Sequence, residues 1–374
     1  MGCVSVSENS IAGHGSVPVT SSKQSAPSSR SRRHISPLTS RMIELVLLVI
    51  LWPVHTQAWS INNFMMTGPK ALLTFSDSVA SGAMLGMEEC RYQFQWDRWN
   101  CPENSLPIFS MKALPEANKE TAFVYSISAA GVMYMLTRNC SLGEFDRCGC
   151  DEAMDGGSGW KWGGCSDNVR FGERVSRQFL DAMEEGKDAR ASMNLHNNEA
   201  GRKAVKKMMK TVCKCHGVSG ACTTRTCWRQ LSDFRDVGDL LKRKHATSIQ
   251  VDFVSGKLQQ YNSANSNHEM PEISRRDLVY LEPAPDYCRV NLTSGSQGTI
   301  GRECLRDADV KTYGEVAPYV RRSCKRLCKD CGLKVVRERI QVVSSCNCKF
   351  HWCCHVKCEE CVDTIVKLRC ATRR

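Results

Sequence analysis

The sequence predicts an α+β protein in two parts: an N-terminal helical bundle that carries a disulfide-stapled hairpin, and a small disulfide-rich C-terminal domain built on a β-hairpin. Three observations support this fold class. Residues 121–137 are almost wholly apolar or small, with large side chains at helical spacing, which predicts a buried helix. Four cysteines within residues 213–227 flank a segment of small residues that has no core of its own. Twelve cysteines fall within residues 288–370, and a domain this small must be held together by disulfides.

The composition indicates a globular protein of an oxidising compartment. The 374 residues suffice for two domains, and 42% of them are hydrophobic. The 23 cysteines are far more than a cytosolic protein of this length would keep reduced, which favours a secreted chain. The formal net charge of +12 favours sulfated glycans as partners of an extracellular protein, and we expect no nucleic acid partner.

The first 58 residues are predicted to be an N-terminal extension and a signal peptide that is removed. Residues 42–52 form an apolar run that is too short to span a bilayer but has the length of a signal-peptide core, and small residues before Trp59 suit cleavage after Ala58. Residues 1–41 are rich in Ser, Pro and Arg and have no apolar periodicity. Cleavage would remove Cys3 and leave 22 cysteines, an even number that permits complete pairing.

Three segments are predicted after the signal. Residues 59–254 form the helical N-terminal domain, residues 255–287 are polar and broken by Asn, Ser and Pro as in a linker, and residues 288–374 form the cysteine-rich C-terminal domain. Two more helices are expected in the first segment, one from an N-cap at Asp167 to Gly186 and one over residues 195–212.

The helix predicted over residues 195–212 has an apolar and a basic stripe. The stripes are offset by two residues, about 200° at helical pitch, so the basic stripe faces water. Such a row either binds heparan sulfate or is an inert solvated face. The candidate glycan-binding residues are Arg202, Lys203, Lys206, Lys207 and Lys210.

The cysteines of residues 213–227 define a projection that we call the thumb. If Cys213 pairs with Cys227 and Cys215 with Cys222, the two bridges nest and hold Ser219 near the tip. The two pairs differ in register by three residues, so a bulged or irregular projection is expected instead of a plain hairpin.

The cysteines of residues 346–361 predict a second projection, which we call the finger. Three of their possible pairs keep a nearly constant register, as a β-hairpin requires, and a slip of one residue has the size of a single bulge. Phe350, Trp352 and Val356 would then cluster at an end with no core beneath it, which marks a contact site. The pairs are Cys346–Cys361, Cys348–Cys358 and, at the tip, Cys353–Cys354.

Other readings of the thumb compete with this one. It could be a purely structural disulfide loop in a matrix protein that has no receptor. Residues 217–221 fall one position short of the G-x-S-x-G motif of serine hydrolases, with His216 as the base, but cysteines on both flanks disfavour the required strand-to-helix turn. A zinc site is the third reading, although the spacing is not that of a zinc finger. Its ligands would be Cys213, Cys215, His216 and Cys222.

The segment C-K-C-H-G-V-S-G-A-C, residues 213–222, resembles the signature of the Wnt family of secreted signalling glycoproteins. W-S-x-N-N-F from residue 59 and C-x-C-K-F-x-W-C-C from residue 346 resemble its eighth subgroup. The resemblance implies a ligand and not an enzyme. It further implies a covalent monounsaturated fatty acyl group on Ser219, with no other cofactor, no metal and no catalytic residue.

The resemblance also implies the partners. The receptor would be the cysteine-rich domain of a Frizzled protein, gripped by the thumb at Ser219 and by the finger, and a low-density-lipoprotein-receptor-related coreceptor would bind elsewhere. The acyltransferase Porcupine and the carrier Wntless would act during secretion to the extracellular space and matrix. The outcome would be Wnt/β-catenin signalling in development and cell-fate specification.

Modifications and the remaining bridges are also expected. The sequons at Asn139 and Asn291 match glycosylation sites of the family. The early cysteines fall in close pairs that resemble those of the family, and the later pairs are implied by the resemblance alone. The early pairs are Cys90–Cys101, Cys140–Cys148 and Cys150–Cys165, and the later ones are Cys288–Cys331, Cys304–Cys324 and Cys328–Cys370.

Overall fold

The architecture comes from a computed structural model. It describes residues 69–102, 116–151, 161–184, 186–261, 273–291, 296–306, 320, 322–352 and 355–373. The expected signal peptide and the expected Cys353–Cys354 bridge lie outside these residues. No helix in this part of the chain has the length and apolar character needed to cross a membrane.

The N-terminal part is a bundle of five helices, in which four surround one central, buried helix. The central helix α2 (Lys119–Ser141) begins after Asn118, whose side chain accepts a hydrogen bond from the backbone N–H of Thr121, and most of its residues are buried. It packs closely on α1 because Gly82 and Gly131 face each other, and a Cβ on Gly131 would lie 2.2 Å from the carbonyl oxygen of Gly82. The buried helix expected at residues 121–137 is therefore confirmed. The helices are α1 (Pro69–Phe94), α2 (Lys119–Ser141), α3 (Val169–Ala182), α4 (Ala189–Met208) and α5 (Phe234–Ala246).

Both helices predicted after the buried one have different bounds in the structure. Asn168, and not Asp167, caps α3 by accepting from the N–H of Phe171, while the Asp167 carboxylate accepts from the backbone N–H of Leu231. The helix ends at Ala182, four residues before Gly186. Helix α4 ends at Met208 because the next residue turns to an extended backbone and the chain enters a strand of the thumb, so the expected helix does not reach residue 212.

The thumb and the finger are both antiparallel hairpins. In the thumb, β2 pairs with β3, and β3 also pairs with the short parallel strand β1. In the finger, β10 pairs with β11, and β11 also pairs with β9 at its base. These strands are β1 (Lys161–Trp162), β2 (Lys210–His216), β3 (Thr224–Gln230), β9 (Glu303–Cys304), β10 (Lys334–His351) and β11 (His355–Ala371). The other elements are β4 (Ile249–Val254), β5 (Lys257–Gln260), β6 (Val279–Tyr280), β7 (Val290–Asn291), β8 (Ser296–Gln297) and α6 (Ser323–Leu327).

The segment predicted as a linker, residues 255–287, is partly built into the helical bundle. Leu278 and Val279 are fully buried, and Asn197 of α4 both donates to the carbonyl oxygen of Val279 and accepts from its N–H, at 2.9 and 3.0 Å. Two apolar residues within a polar stretch give no periodic signal, so the sequence could not predict this docking.

The C-terminal part has a very small core made largely of disulfides. Sulfurs and two leucines fill it, as expected for a domain too small to rely on apolar side chains alone. The predicted α+β class is confirmed. This core comprises Cys304, Cys324, Leu327, Cys328, Leu368 and Cys370.

Candidate functional site

The arms of the thumb form a regular hairpin. Cys213 lies directly opposite Cys227, and the register continues unchanged to the last pair of the hairpin. The second bridge, Cys215–Cys222, joins the β2 arm to the tip loop of residues 217–223. The expected irregularity is therefore confined to the tip, and the arms contain no bulge, because Cys222 lies beyond the paired strands.

The tip of the thumb presents Ser219 to solvent. Its backbone is left-handed, with φ 55° and ψ 30°, a conformation that is uncommon outside glycine. The neighbouring Val218 is 91% exposed. Position 217 has no room for a side chain, because a Cβ on Gly217 would lie 2.1 Å from the carbonyl oxygen of Ala221. The loop is closed tightly on itself while the Ser219 side chain stays accessible.

The geometry contradicts the zinc and hydrolase readings of the thumb. Cys213, Cys215 and Cys222 are all in disulfides and have no thiolate to offer a metal. Among the hydrogen bonds of the described residues none joins Ser219 to His216, and the serine follows no strand-to-helix turn. Within the described ranges, the accessible Ser219 hydroxyl has no acid or base hydrogen-bonded to it.

A second group of close sulfurs is equally unable to bind metal. Its three Sγ atoms lie within 4.8 Å of one another in the C-terminal core, but each is already bonded to another sulfur. The group consists of Cys304, Cys328 and Cys370.

The finger is a long hairpin with one bulge. The register of β10 with β11 shifts by one residue between Cys346 and Lys349, and Asn347 within this interval has φ 49°. The bridge Cys348–Cys358 lies beyond the bulge. A slip of one residue is thus present where the cysteine spacing indicates one, but it runs in the opposite direction, because Cys346 faces Glu359 and not its disulfide partner Cys361.

The end of the finger is apolar and exposed. Trp352 is 94% exposed, and Phe350 and Val356, which lie opposite each other in the hairpin, are 71% and 64% exposed. Val343 and Val362 form another exposed cross-strand pair further down the stem. Large exposed apolar side chains grouped at the end of a hairpin, as at Phe350, Trp352 and Val356, are typical of an interaction site, whereas the valine pair of the stem is separate from this group.

The structure corrects the assignment of Arg202 to an exposed basic row. This residue is 1% exposed, and its guanidinium donates to both carboxylate oxygens of Asp181, at 3.0 and 2.9 Å, and to Glu199 at 3.1 Å. It lies in the interface of α3 and α4, where two acidic side chains neutralise it. Arg202 is therefore unable to bind a sulfated glycan at the surface.

Most of the remaining lysine row is already paired with acids. Lys206 forms a 2.7 Å ion pair with Glu173, and Lys203 lies 3.8 Å from Glu199. Lys210 is on strand β2 and not on the helix, and its hydrogen bond to the Asp236 carboxylate, at 2.7 Å, raises its pKa. Lys207 is exposed. The row has much less free positive charge than the sequence indicates.

The two predicted glycosylation sites differ in their surroundings. Asn139 lies near the C-terminal end of α2, and its amide donates to the Ser78 hydroxyl at 2.8 Å, beside the buried and bridged Cys140. Asn291 ends strand β7, and the rest of its sequon lies outside the described residues.

Disulfides join the same cysteine pairs that spacing and resemblance indicate, over the part of the chain that the structure describes. They staple the thumb, the finger stem and the ends of the helical bundle. The bridges not yet placed are Cys90–Cys101, Cys140–Cys148, Cys150–Cys165, Cys288–Cys331, Cys304–Cys324, Cys328–Cys370 and Cys346–Cys361.

Comparison with known proteins agrees with this geometry. A family model described as the wnt family matches residues 69–371. The chain belongs to the Wnt family. Protein Wnt-8b of Mus musculus is 58% identical over 333 residues, which cover 87% of this chain and 93% of that protein. Protein Wnt-8 of Xenopus laevis is 53% identical over 337 residues, covering 88% and 93%. These relatives confirm the resemblance to the eighth subgroup.

A solved structure supports the same assignment. The Wnt chain in a structure described as human WLS in complex with WNT8A is 49% identical to this chain, with a TM-score of 0.60. The match covers 84% of this chain and 100% of the solved chain. Wnt family proteins are secreted signalling ligands and not enzymes, so the prediction of a Wnt ligand is confirmed.

Some contacts between the helical bundle and the C-terminal part were not predicted from the sequence. Arg302 and Arg326 bind backbone carbonyl oxygens of the loop that follows α1. A hydrogen bond to a main-chain oxygen involves no partner side chain that a sequence pattern could reveal.

Proposed function

We propose that this Wnt ligand carries a monounsaturated fatty acyl ester on Ser219 and grips the cysteine-rich domain of a Frizzled receptor with thumb and finger together. The observation that supports this most directly is the tip of the thumb. An accessible serine lies on a tightly closed loop that offers a single sizeable apolar side chain, Val218. The loop is built to present the hydroxyl and not to form a contact surface of its own.

Magnitudes show why a lipid would dominate the thumb contact. Burial contributes about 0.8 kcal/mol per CH₂, so a sixteen-carbon chain offers roughly 10 kcal/mol before ordering costs. Val218 alone would contribute about 2 kcal/mol on full burial. The tip therefore needs a covalent group to bind strongly.

The finger supplies the second contact in this proposal. Trp352 and Phe350 are large, exposed aromatic residues at the end of a disulfide-bonded hairpin, and aromatic side chains of this kind are the usual energetic centres of interfaces. The predicted bridge Cys353–Cys354 would hold the turn between them and Val356.

Secretion of a lipid-bearing protein requires further partners. The acyltransferase Porcupine would modify Ser219, whose exposed side chain is accessible, and the related Wnt chain was solved in complex with WLS. A carrier such as Wntless would shield the acyl chain, which otherwise partitions into membranes. A low-density-lipoprotein-receptor-related coreceptor would bind elsewhere, and the assembled complex would activate Wnt/β-catenin signalling in development.

The proposal is tested by Ser219→Ala, with Thr211→Ala as the matched control. Thr211 is an exposed hydroxyl on the β2 arm of the same thumb. Ser219→Ala should keep its disulfides but lose the acyl mass and receptor activation, whereas Thr211→Ala should keep both. Intact-mass spectrometry and a β-catenin reporter assay measure the two outcomes. Normal signalling by unacylated Ser219→Ala would refute the proposed role of the lipid.

A further inference from the structure

One arginine of the C-terminal part grips the loop that follows helix α1. The guanidinium of Arg302 donates to three backbone carbonyl oxygens of this loop: to Gln95 at 2.8 Å, to Asp97 at 2.9 Å and to Arg98 at 3.0 Å. A planar guanidinium fixes direction as well as distance when it binds several acceptors. The contact therefore restrains both the separation and the rotation of the two parts.

Further contacts run in both directions across the same junction. Arg326 donates to the carbonyl oxygen of Trp96 at 3.2 Å and lies 3.3 Å from the carboxylate of Asp97. In return, Arg98 of the loop donates to the carbonyl oxygen of Arg326 at 3.2 Å and lies 3.7 Å from Asp330. The loop after α1 and the C-terminal part thus each donate hydrogen bonds to the other and accept hydrogen bonds from it.

The loop is itself fixed to the helical bundle. The bridge Cys90–Cys101 closes it, and Trp99 packs edge-on against Phe94 with ring centroids 4.8 Å apart. Asp97 forms an ion pair with Lys242 of α5 at 2.5 Å. A restraint on this loop is therefore a restraint on the whole bundle.

One end of the junction lies close in sequence to the thumb, and the other is hydrogen-bonded to the base of the finger. Helix α5, which holds Lys242, begins four residues after the last residue of the thumb strand β3. The carbonyl oxygen of Arg302 accepts from the N–H of Cys370 near the end of β11, at 3.0 Å, and the next residue, Glu303, pairs with Arg369 of β11. The junction connects the base of the thumb to the base of the finger.

We propose that Arg302, Arg326 and Asp97 are positioning residues that hold the thumb and the finger in one fixed relative arrangement. Its consequence for binding rests on the proposed function: when two contacts engage one receptor domain, the second gains from a high effective concentration only if the spacing fits. A loose junction would let one projection bind while the other drifts out of reach.

The geometric part of the proposal is tested without any receptor. Spin labels are introduced through non-natural amino acids at Lys214 and Lys357, exposed positions on the thumb and the finger. Electron-electron double resonance should give one narrow distance distribution for the wild type and a broad one for Arg302→Ala. Arg276→Ala, an exposed arginine outside the junction, is the matched control and should stay narrow. An unchanged distribution in Arg302→Ala would overturn the proposal.

Arg302→Lys serves if the alanine variant is not secreted. Lysine keeps the positive charge but lacks the planar guanidinium that binds several acceptors at once. The distance distribution of Arg302→Lys should therefore be narrower than that of Arg302→Ala and broader than that of Arg276→Ala. A distribution for Arg302→Lys as narrow as that of the control would likewise reject the junction as the restraint.

A receptor-binding measurement then separates the junction from the proposed function. Arg302→Ala should weaken binding to a Frizzled cysteine-rich domain tenfold or more. When Trp352→Ala is added to Arg302→Ala, it should raise the Kd at most a further threefold, because the finger no longer binds together with the thumb. A protein that was only less stable would keep the full effect of Trp352 in its folded fraction. Broader distances with unchanged affinity would contradict two-contact binding and leave the restraint intact.

Discussion

Trp352→Ala removes the largest exposed side chain of the finger. Because Trp352 is 94% exposed in the free ligand, the substitution takes away almost no packing and should leave the unfolding free energy within about 0.5 kcal/mol. The binding effect should be much larger. A tryptophan buries about 150–250 Å² in an interface, worth roughly 4–6 kcal/mol at about 25 cal/mol per Å², from which side-chain ordering takes about 1 kcal/mol.

The expected net loss for Trp352→Ala is on the order of 2 kcal/mol or more, because an interface recovers only part of this gross value. This corresponds to roughly a 30-fold rise in Kd for a Frizzled cysteine-rich domain. Surface plasmon resonance with acylated ligand in detergent measures it. Val362→Ala, an exposed valine on the stem, should change Kd less than threefold. Equal and small effects of both substitutions would show that the finger tip is not a binding anchor.

Two further predictions concern stability. Arg202→Leu should lower the unfolding free energy by about 3 kcal/mol in guanidinium titrations, because Asp181 and Glu199 lose a buried partner. The same substitution at the exposed Arg276 should change the unfolding free energy by under about 0.5 kcal/mol. Equal losses in the two variants would contradict the buried ion-pair network. Burial lowers the pKa of Lys242 from 10.5 to about 8, so between these pH values the unfolded chain binds one proton more than the folded chain. The unfolding free energy of the wild type should therefore rise relative to that of Lys242→Met as the pH increases from 8 to 10. A difference between the two proteins that does not change with pH would contradict the burial of this charge.

The cysteine spacing predicted both projections but determined the full strand register of neither, for a physical reason. A disulfide fixes the distance between two backbone segments but not whether both belong to paired strands. In the finger the Cys348–Cys358 bridge keeps the register of the strand pairs beyond the bulge, whereas Cys346 faces Glu359 and is bridged to Cys361. The spacing therefore indicates a one-residue slip near Asn347 but not its direction. In the thumb Cys222 lies in the tip loop, so the apparent three-residue mismatch describes the loop and not the arms.

The helical pattern failed at Arg202 because a periodicity assigns a residue to a side of its own helix but does not show what covers that side. Helix α3 packs there and brings Asp181, while Glu199 comes from α4 itself. The burial of a charged residue depends on an acid distant in sequence, and no local pattern contains that information. The same limit applies to Leu278 and Val279, whose partners are in α4 and α2.

The junction and the two projections differ in what a substitution can change. The tips at Ser219 and Trp352 are exposed and disulfide-held, so their chemistry can be altered with little effect on folding. Arg302 instead binds main-chain oxygens, which every residue at those positions would offer, so its own contact does not depend on the side chains of the loop, whereas the arginine cannot be replaced without loss of the three-way contact. Contact chemistry and contact spacing are therefore encoded in separate residues, and each can be tested without disturbing the other.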